Sequence, residues 1–188
     1  MNKPKIKGTR AESAFVSWLR AFFPHAERRT LKGGSDQGDV TGCPGLVFEV
    51  KDCKTWSLPA WMRETEAERV NANADLGILI IKPPGVSHAH PGDWVAVVHL
   101  AAFGGLLNLT RLAVQTYIIS PARISKTRET WKKLHVPGTV GFIGGPKDRR
   151  DDQVFCLLRA HDLIMILNMV GYGRENVLSS SLQELQPN

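Results

Sequence analysis

Asp39, Glu49 and Lys51 are the residues of this chain whose types and spacing could do chemistry. Glu49 and Lys51 flank Val50 in the run Phe48-Glu49-Val50-Lys51, and Asp39 follows Gly38 a short distance earlier. Side chains two apart on a strand share a face, so Glu49 and Lys51 are expected to project together while Val50 faces the core. A turn at Gly42–Gly45 would return the chain and set Asp39 across from Glu49. Two carboxylates and the backbone carbonyl of Val50 are donors suited to Mg²⁺, a hard cation that takes oxygen ligands and keeps several waters. Such an ion polarises a phosphate and lowers the pKa of a bound water. Lys51 beside it would orient that water or stabilise charge developing on phosphorus. The chemistry these residues point to is hydrolysis of a phosphodiester.

Other features extend this set. Glu12 lies beside an apolar stripe near the start of the first expected helix, from where it could reach the same site directly or through water. The loop Gly33-Gly34-Ser35-Asp36-Gln37-Gly38 would let backbone N–H groups approach phosphate oxygens closely. The net charge is +6, and residues 1–32 hold all of that excess, with eight Lys/Arg against Glu12 and Glu27. A charge concentrated in this way suits a polyanion such as DNA. Lys5, Lys7, Arg10, Arg28, Arg29, Lys32, Ser35 and Gln37 are the candidate DNA-contacting residues.

The elements that must position these groups can be read from periodicity. Ala11, Ala14, Phe15, Trp18, Leu19, Phe22 and Phe23 make one stripe of a helix expected over 8–23, with Thr9 as N-cap, Glu12 completing a capping box, and Pro24 as the stop. Short strands are expected at Ala26–Leu31, Asp39–Thr41 and Leu46–Lys51. A second helix would run from Ser57 and Pro59 to about Asn73. The apolar run Leu76–Lys82 reads as a strand buried on both faces, and Pro83–Gly92 as a loop. Val95–His99 with Ala101–Leu109, and Val154–Arg159 with Ala160–Val170, read as two similar strand–helix units. Arg123–Leu134 is a basic, helical stretch, Gly144-Gly145-Pro146 a turn, and the last dozen residues a frayed tail.

The order helical Glu12, Asp39, Glu49-Val50-Lys51, helix, buried strand resembles the PD-(D/E)XK nuclease superfamily, and within it the archaeal and phage-encoded Holliday-junction resolvases. The resemblance covers roughly residues 8–100. It implies an α/β fold with a restriction-endonuclease-like αβββαβ core and a mixed central sheet. It also implies Mg²⁺, with Mn²⁺ as a substitute, and a homodimer acting on four-way junctions or other branched DNA. Matched by position, Asp39, Glu49 and the Val50 carbonyl are the metal ligands, with Glu12 as a further candidate, and Lys51 is the catalytic lysine. Arg10 and Ser35 match DNA-contacting positions. Gly38 stands where the superfamily's name has proline. On this reading residues 1–110 are the nuclease core. Residues 111–188 are a C-terminal extension without counterpart in the compact archaeal enzymes, serving sheet completion, dimerisation or DNA contact.

Two other readings stay open: a restriction-like, nicking or repair endonuclease on duplex DNA, and a non-catalytic DNA-binding module on a nuclease fold. No stretch is apolar over the length a membrane span needs and no signal peptide is read at the N-terminus, so a cytoplasmic setting is expected, that of the host if the protein is phage-encoded. Three cysteines without a CxxC pair speak against a disulfide framework or zinc knuckle. His88 and His90 are expected in an exposed loop, Glu64, Glu66 and Glu68 on a solvated helix face, Trp56 and Trp61 in packing, and Cys53 as a small packed thiol. No GxxxxGK[ST] motif is present, which removes the usual basis for ATP-driven work.

Overall fold

The computed structural model describes residues 3–30, 35–110, 115–119, 138–143 and 154–173. In chain order the elements are α1 (Lys3–Leu19), β1 (Glu27–Arg28), β2 (Val40–Thr41), β3 (Leu46–Lys51), α2 (Leu58–Asn71), β4 (Leu76–Ile81), a 3₁₀ turn at Pro91–Asp93, β5 (Val95–His99), α3 (Leu100–Thr110), β6 (Gln115–Ile119), β7 (Thr139–Ile143), β8 (Phe155–Arg159) and α4 (Ala160–Met169). The architecture is mixed α/β. Six strands form one sheet in the order β3-β4-β5-β8-β7-β6, and β1 and β2 form a separate antiparallel ribbon. Within the large sheet β3–β4 and β6–β7 are parallel and the other neighbours antiparallel.

All six residues of β4 are buried, as a strand covered on both faces requires. Alternate side chains divide between two apolar layers. Phe48, Val50, Ile78, Ile80, Ala96 and Val98 pack with Ala11, Phe15 and Leu19 of α1 and with Leu163 and Leu167 of α4. Leu79, Ile81, Val95 and Val97 pack on the other face with Leu58 and Met62 of α2, and Trp56 and Trp61 lie against this layer. Phe15 is fully buried, with its ring 5.5 Å from that of Phe48 and 6.4 Å from that of Trp94. The two strand–helix units pair through β5 and β8, antiparallel, with Val97 opposite Leu157. Residues beyond 110 thus continue the sheet that begins at β3.

Several boundaries differ from those expected. α1 begins at Lys3, so Thr9 lies inside it and forms no N-cap or capping box with Glu12. Pro4 allows this, because the first-turn N–H that proline lacks has no helical partner. The helix ends at Leu19 rather than before Pro24. Ala21 and Phe22 donate to the carbonyls of Trp18 and Leu19, the tighter i→i+3 pattern that closes a helix. β1 spans two residues, and it pairs with β2 instead of entering the central sheet. Cys53 is exposed, not packed, while Cys43 and Cys156 are buried free thiols. The stretch 123–134, the turn at 144–146 and the C-terminal tail lie outside the described residues. Among the described residues no helix is long and apolar enough to cross a membrane.

Because Phe15 couples α1 to the sheet, Phe15→Ala is expected to cost about 3–5 kcal/mol of folding stability. Urea unfolding measures this, and a loss below about 1 kcal/mol would contradict the packing described.

Candidate active site

β3 is an edge strand of the large sheet, with β4 on one side only. Lys82 donates to the Lys51 carbonyl at 2.9 Å, so Lys51's backbone polar groups face β4. Phe48 and Val50 face the opposite edge, since backbone polar groups alternate along a strand. The Phe48 carbonyl accepts the Asp39 N–H at 2.9 Å, and the Val50 N–H donates to Asp39 Oδ2 at 2.8 Å. In an extended strand a residue's N–H and C=O share an edge, so the Val50 carbonyl also faces the Asp39 side. Asp39 is held from behind as well: its own carbonyl accepts the Arg29 N–H at 2.7 Å.

Gly38 makes this approach possible. Its φ is +84°, and a Cβ there would stand 2.7 Å from Val47 Cγ1 and 2.9 Å from the Phe48 carbonyl oxygen. Proline, fixed near φ −65°, cannot replace it. The next loop residues are tied down. Asp36 Oδ1 accepts the Gly38 N–H, Asn71 donates to the Asp36 carbonyl at 2.7 Å, and Gln37 donates to the Asn71 carbonyl at 3.1 Å.

Glu49 and Lys51 project from β3 toward α2, and Lys51 Nζ lies 2.5 Å from Glu49 Oε1 and 3.1 Å from Glu64 Oε2. The Glu49 and Asp39 carboxyl groups are within hydrogen-bonding reach of one another. Glu49 is 8 % exposed and Glu68, contributed by α2, is 5 % exposed. Glu68 Oε2 is enclosed with no hydrogen-bond partner among the described residues. α2 can lie this close because β4 carries Gly77, where a Cβ would meet Thr65 at 3.1 Å. Glu12 reaches toward the group from the α1 side, its carboxylate 3.2 Å from Arg28 Nη1.

The electrostatics follow from this crowding. Burial, then the Glu49 charge, pushes the Asp39 carboxyl up to about 8 against the pull of the Val50 N–H, and the Glu12 charge adds to the rise. Burial and the Glu68 charge push Glu49 up to about 7, although Lys51 opposes this. Burial and the charges of Asp36 and Asp39 raise Glu68 to about 7. Burial works to lower the Lys51 pKa, but hydrogen bonds and charges from Glu49 and Glu64 outweigh it and hold the ammonium firmly protonated. The acids outnumber the one lysine, and near neutral pH bound protons relieve part of their repulsion.

Among the described residues no three His, Cys, Asp or Glu side chains form a group that could hold a metal ion. Magnesium does not require such a cage, since one or two carboxylates with waters and substrate oxygens commonly suffice. The all-oxygen donors Asp39, Glu49 and the Val50 carbonyl, among crowded acids whose protons a cation would displace, fit that ion.

The structure therefore brings Asp39, Glu49, Val50 and Lys51 together, with Glu12 at their margin. It disperses the expected DNA-contacting residues. Arg10 and Ser35 are exposed, Lys7 pairs with Asp52, and Arg28 pairs with Glu12. Arg29 and Gln37 bond each other at 3.0 Å. The side chains of Lys5 and Lys32 lie outside those described. Two expectations are corrected. Of the α2 acids, Glu64 is exposed as expected, although it also pairs with Lys51, and Glu66 is half-buried and pairs with Arg69 at 2.7 Å; Glu68 departs from the expectation, being buried among the site acids. The signal was present, because Leu58, Met62, Thr65 and Glu68 recur at helical spacing and are the buried residues of α2. His88 is not exposed but packs edge-on against Trp94, and its acidic neighbour is Asp52 rather than Asp93.

Gly38→Pro is expected to destabilise the protein by at least about 2 kcal/mol and to displace Asp39; unchanged thermal melting would contradict the role assigned to Gly38. A second expectation concerns pH. A carboxyl raised by folding stabilises the fold while protonated, fully below its unfolded value, and that contribution is lost as pH rises through the folded value. In EDTA the melting temperature of the wild type should thus fall relative to Asp39→Asn between about pH 4 and pH 8. A difference independent of pH would show that Asp39 is not buried against other acids.

In comparisons with known proteins, no family model, curated protein or solved structure matches this chain.

Proposed function

We propose that this protein is a divalent-metal-dependent endodeoxyribonuclease of the PD-(D/E)XK type that hydrolyses phosphodiester bonds in branched DNA, with four-way Holliday junctions as its preferred substrate. The observation that carries the reading is the meeting of half-buried Asp39 with buried Glu49 at the edge of the sheet, with the Val50 backbone beside them and the Lys51 amine on Glu49. The element order α1, β1, β2, β3, α2, β4 supports a restriction-endonuclease-like core around that pair.

On this reading Asp39, Glu49 and the Val50 carbonyl hold Mg²⁺, or Mn²⁺ in its place. The ion supplies Lewis-acid polarisation of the scissile phosphate and a more acidic water. Lys51 keeps its proton on Nζ, because Glu49 and Glu64 both face it, and lends a fixed positive charge to the phosphoryl oxygens as negative charge builds there. Glu12, paired with Arg28 and near enough for its charge to act on Asp39, is a further candidate ligand, directly or through water. Arg10, Lys7 and Ser35 contact neighbouring phosphates, which position DNA without reading its sequence. Selectivity for a junction then comes from shape and from a homodimer presenting two sites, in keeping with the two-fold symmetry of such DNA.

The test is cleavage of four-way junction, flap and linear duplex DNA, with and without Mg²⁺. Mg²⁺-dependent nicking of the junction with duplex largely spared is expected. Glu49→Ala should lower the rate at least about 100-fold while junction binding persists. Equal cutting of linear duplex would leave a nuclease but remove junction selectivity, favouring a restriction-like or repair enzyme. Binding without any metal-dependent cleavage would favour a non-catalytic DNA-binding module.

A further inference from the structure

Asp52 follows Lys51 and turns to the opposite face of the sheet, toward α1. Its side chain is 2 % exposed, and basic groups from three segments converge on it. Lys7 Nζ of α1 lies 2.9 Å from Asp52 Oδ1 and donates to the Asp52 carbonyl at 2.8 Å. Lys82 Nζ, just beyond β4, stands 3.6 Å away on a side chain only 8 % exposed. His88 Nε2, from the loop before the 3₁₀ turn, is 3.3 Å from Asp52 Oδ2. Arg10 lies one helical turn beyond Lys7, close enough for its charge to act on His88.

The charge does not balance. One carboxylate faces Lys7 and Lys82, an excess of one positive charge before His88 contributes any, and the Arg10 charge acts on the same cluster from its margin. A structural ion pair gains from one-to-one matching, whereas a buried ammonium at 3.6 Å from its nearest acid keeps a desolvation cost without a full hydrogen bond in return. Asp52 Oδ2 and His88 Nε2 are enclosed, and neither makes a well-formed hydrogen bond among the described residues. Burial and the Lys82 charge hold His88 below its ordinary pKa, so near neutral pH it acts as a neutral hydrogen-bonding ring. The cluster is organised, carries more positive than negative charge, and is partly open through Lys7 and His88.

We propose that Lys7, Lys82 and His88, gathered by Asp52, form a phosphate-binding subsite that takes a second phosphodiester of the DNA strand cut at Asp39 and Glu49. That the ligand is DNA rests on the nuclease reading; the anion chemistry rests on the cluster alone. The spacing suits a second phosphate. Lys7 and Glu12 are separated along α1 by a rise of about 7.5 Å, at about 1.5 Å per residue. That is on the scale of the separation between neighbouring phosphates of one strand, which exceeds the axial rise of about 3.4 Å per nucleotide.

Two measurements test it on the full chain. The first is four-way junction binding in EDTA across a range of salt, for the wild type, Lys82→Met and Lys7→Met, each first checked by thermal melting. Each variant should bind several-fold more weakly, and its log-affinity against log-salt slope should be shallower by about 0.9, the value of one lost phosphate contact. Lys7 is half-exposed on a helix, so its variant is informative even where Lys82→Met fails to fold. The second is a titration of the wild type with inorganic phosphate, following the His88 ring resonances assigned by their loss in His88→Gln. A saturable shift, weakened in Lys7→Met, is expected. Unchanged salt slopes with no His88 response to phosphate would overturn the subsite and leave the nuclease standing. A phosphate response without any DNA binding would end the nuclease reading and leave the subsite standing.

Discussion

A buried carboxyl group, Glu49, set beside the half-buried carboxyl of Asp39 on a strand edge is a costly arrangement, and much of the architecture around β3 is organised by it. Removing a carboxylate from water disfavours its charged form, and a second carboxylate within reach disfavours it further. The protein offsets this only in part. Asp39 receives the Val50 N–H, and Glu49 receives the Lys51 ammonium. Neither compensation balances the further acids Glu68, Asp36 and Glu12 nearby. An uncompensated buried charge survives only where the surrounding packing over-determines it.

That packing comes from three directions. The β1–β2 ribbon fixes the backbone of Asp39, with Gly38 supplying a left-handed turn that no side chain would tolerate at that approach. β4, buried throughout, holds β3 rigidly on one edge and leaves the other open. Exposed strand edges invite unwanted pairing, and part of this one is covered where the Asp39 N–H donates to the Phe48 carbonyl and its carboxylate accepts the Val50 N–H. α2, let in closely at Gly77, places Glu64 and Glu68 against the lysine and the glutamate of β3. Both apolar layers of the sheet therefore bear on the same few polar groups, and a change in either is felt there.

The two faces of the sheet differ in charge at the end of β3. Toward α2 the chain collects acids around one lysine; toward α1 it collects bases around one aspartate, Asp52. Alternation along a single strand produces this separation, since Lys51 and Asp52 are neighbours in sequence and point to opposite faces. A polyanion passing the open edge would meet a region able to take up a cation and, close by, a region already cationic. The proposed nuclease activity and the proposed phosphate subsite are two consequences of that one alternation.

Much of the fold was legible in the chain because it is carried by local pattern. The Leu46–Lys51 and Leu76–Ile81 strands, the helix after Ser57 and Pro59, and the paired strand–helix units follow from hydrophobic period and from proline placement. So does the shared face of Glu49 and Lys51, which depends only on two residues being two apart on a strand. What the chain by itself did not determine is long-range. The extent of α1, the separate ribbon made by β1 and β2, the packing of His88 on Trp94 and the burial of Glu68 depend on which surfaces come to lie against one another. Glu68 shows the reason most plainly: local sequence marks it as a charged helical residue, and only the approach of α2 to Gly77 turns it into a buried neighbour of Glu49. The meeting of Lys7, Lys82 and His88 on Asp52 is of the same kind, because three distant segments share no local signal and are joined only when the core closes.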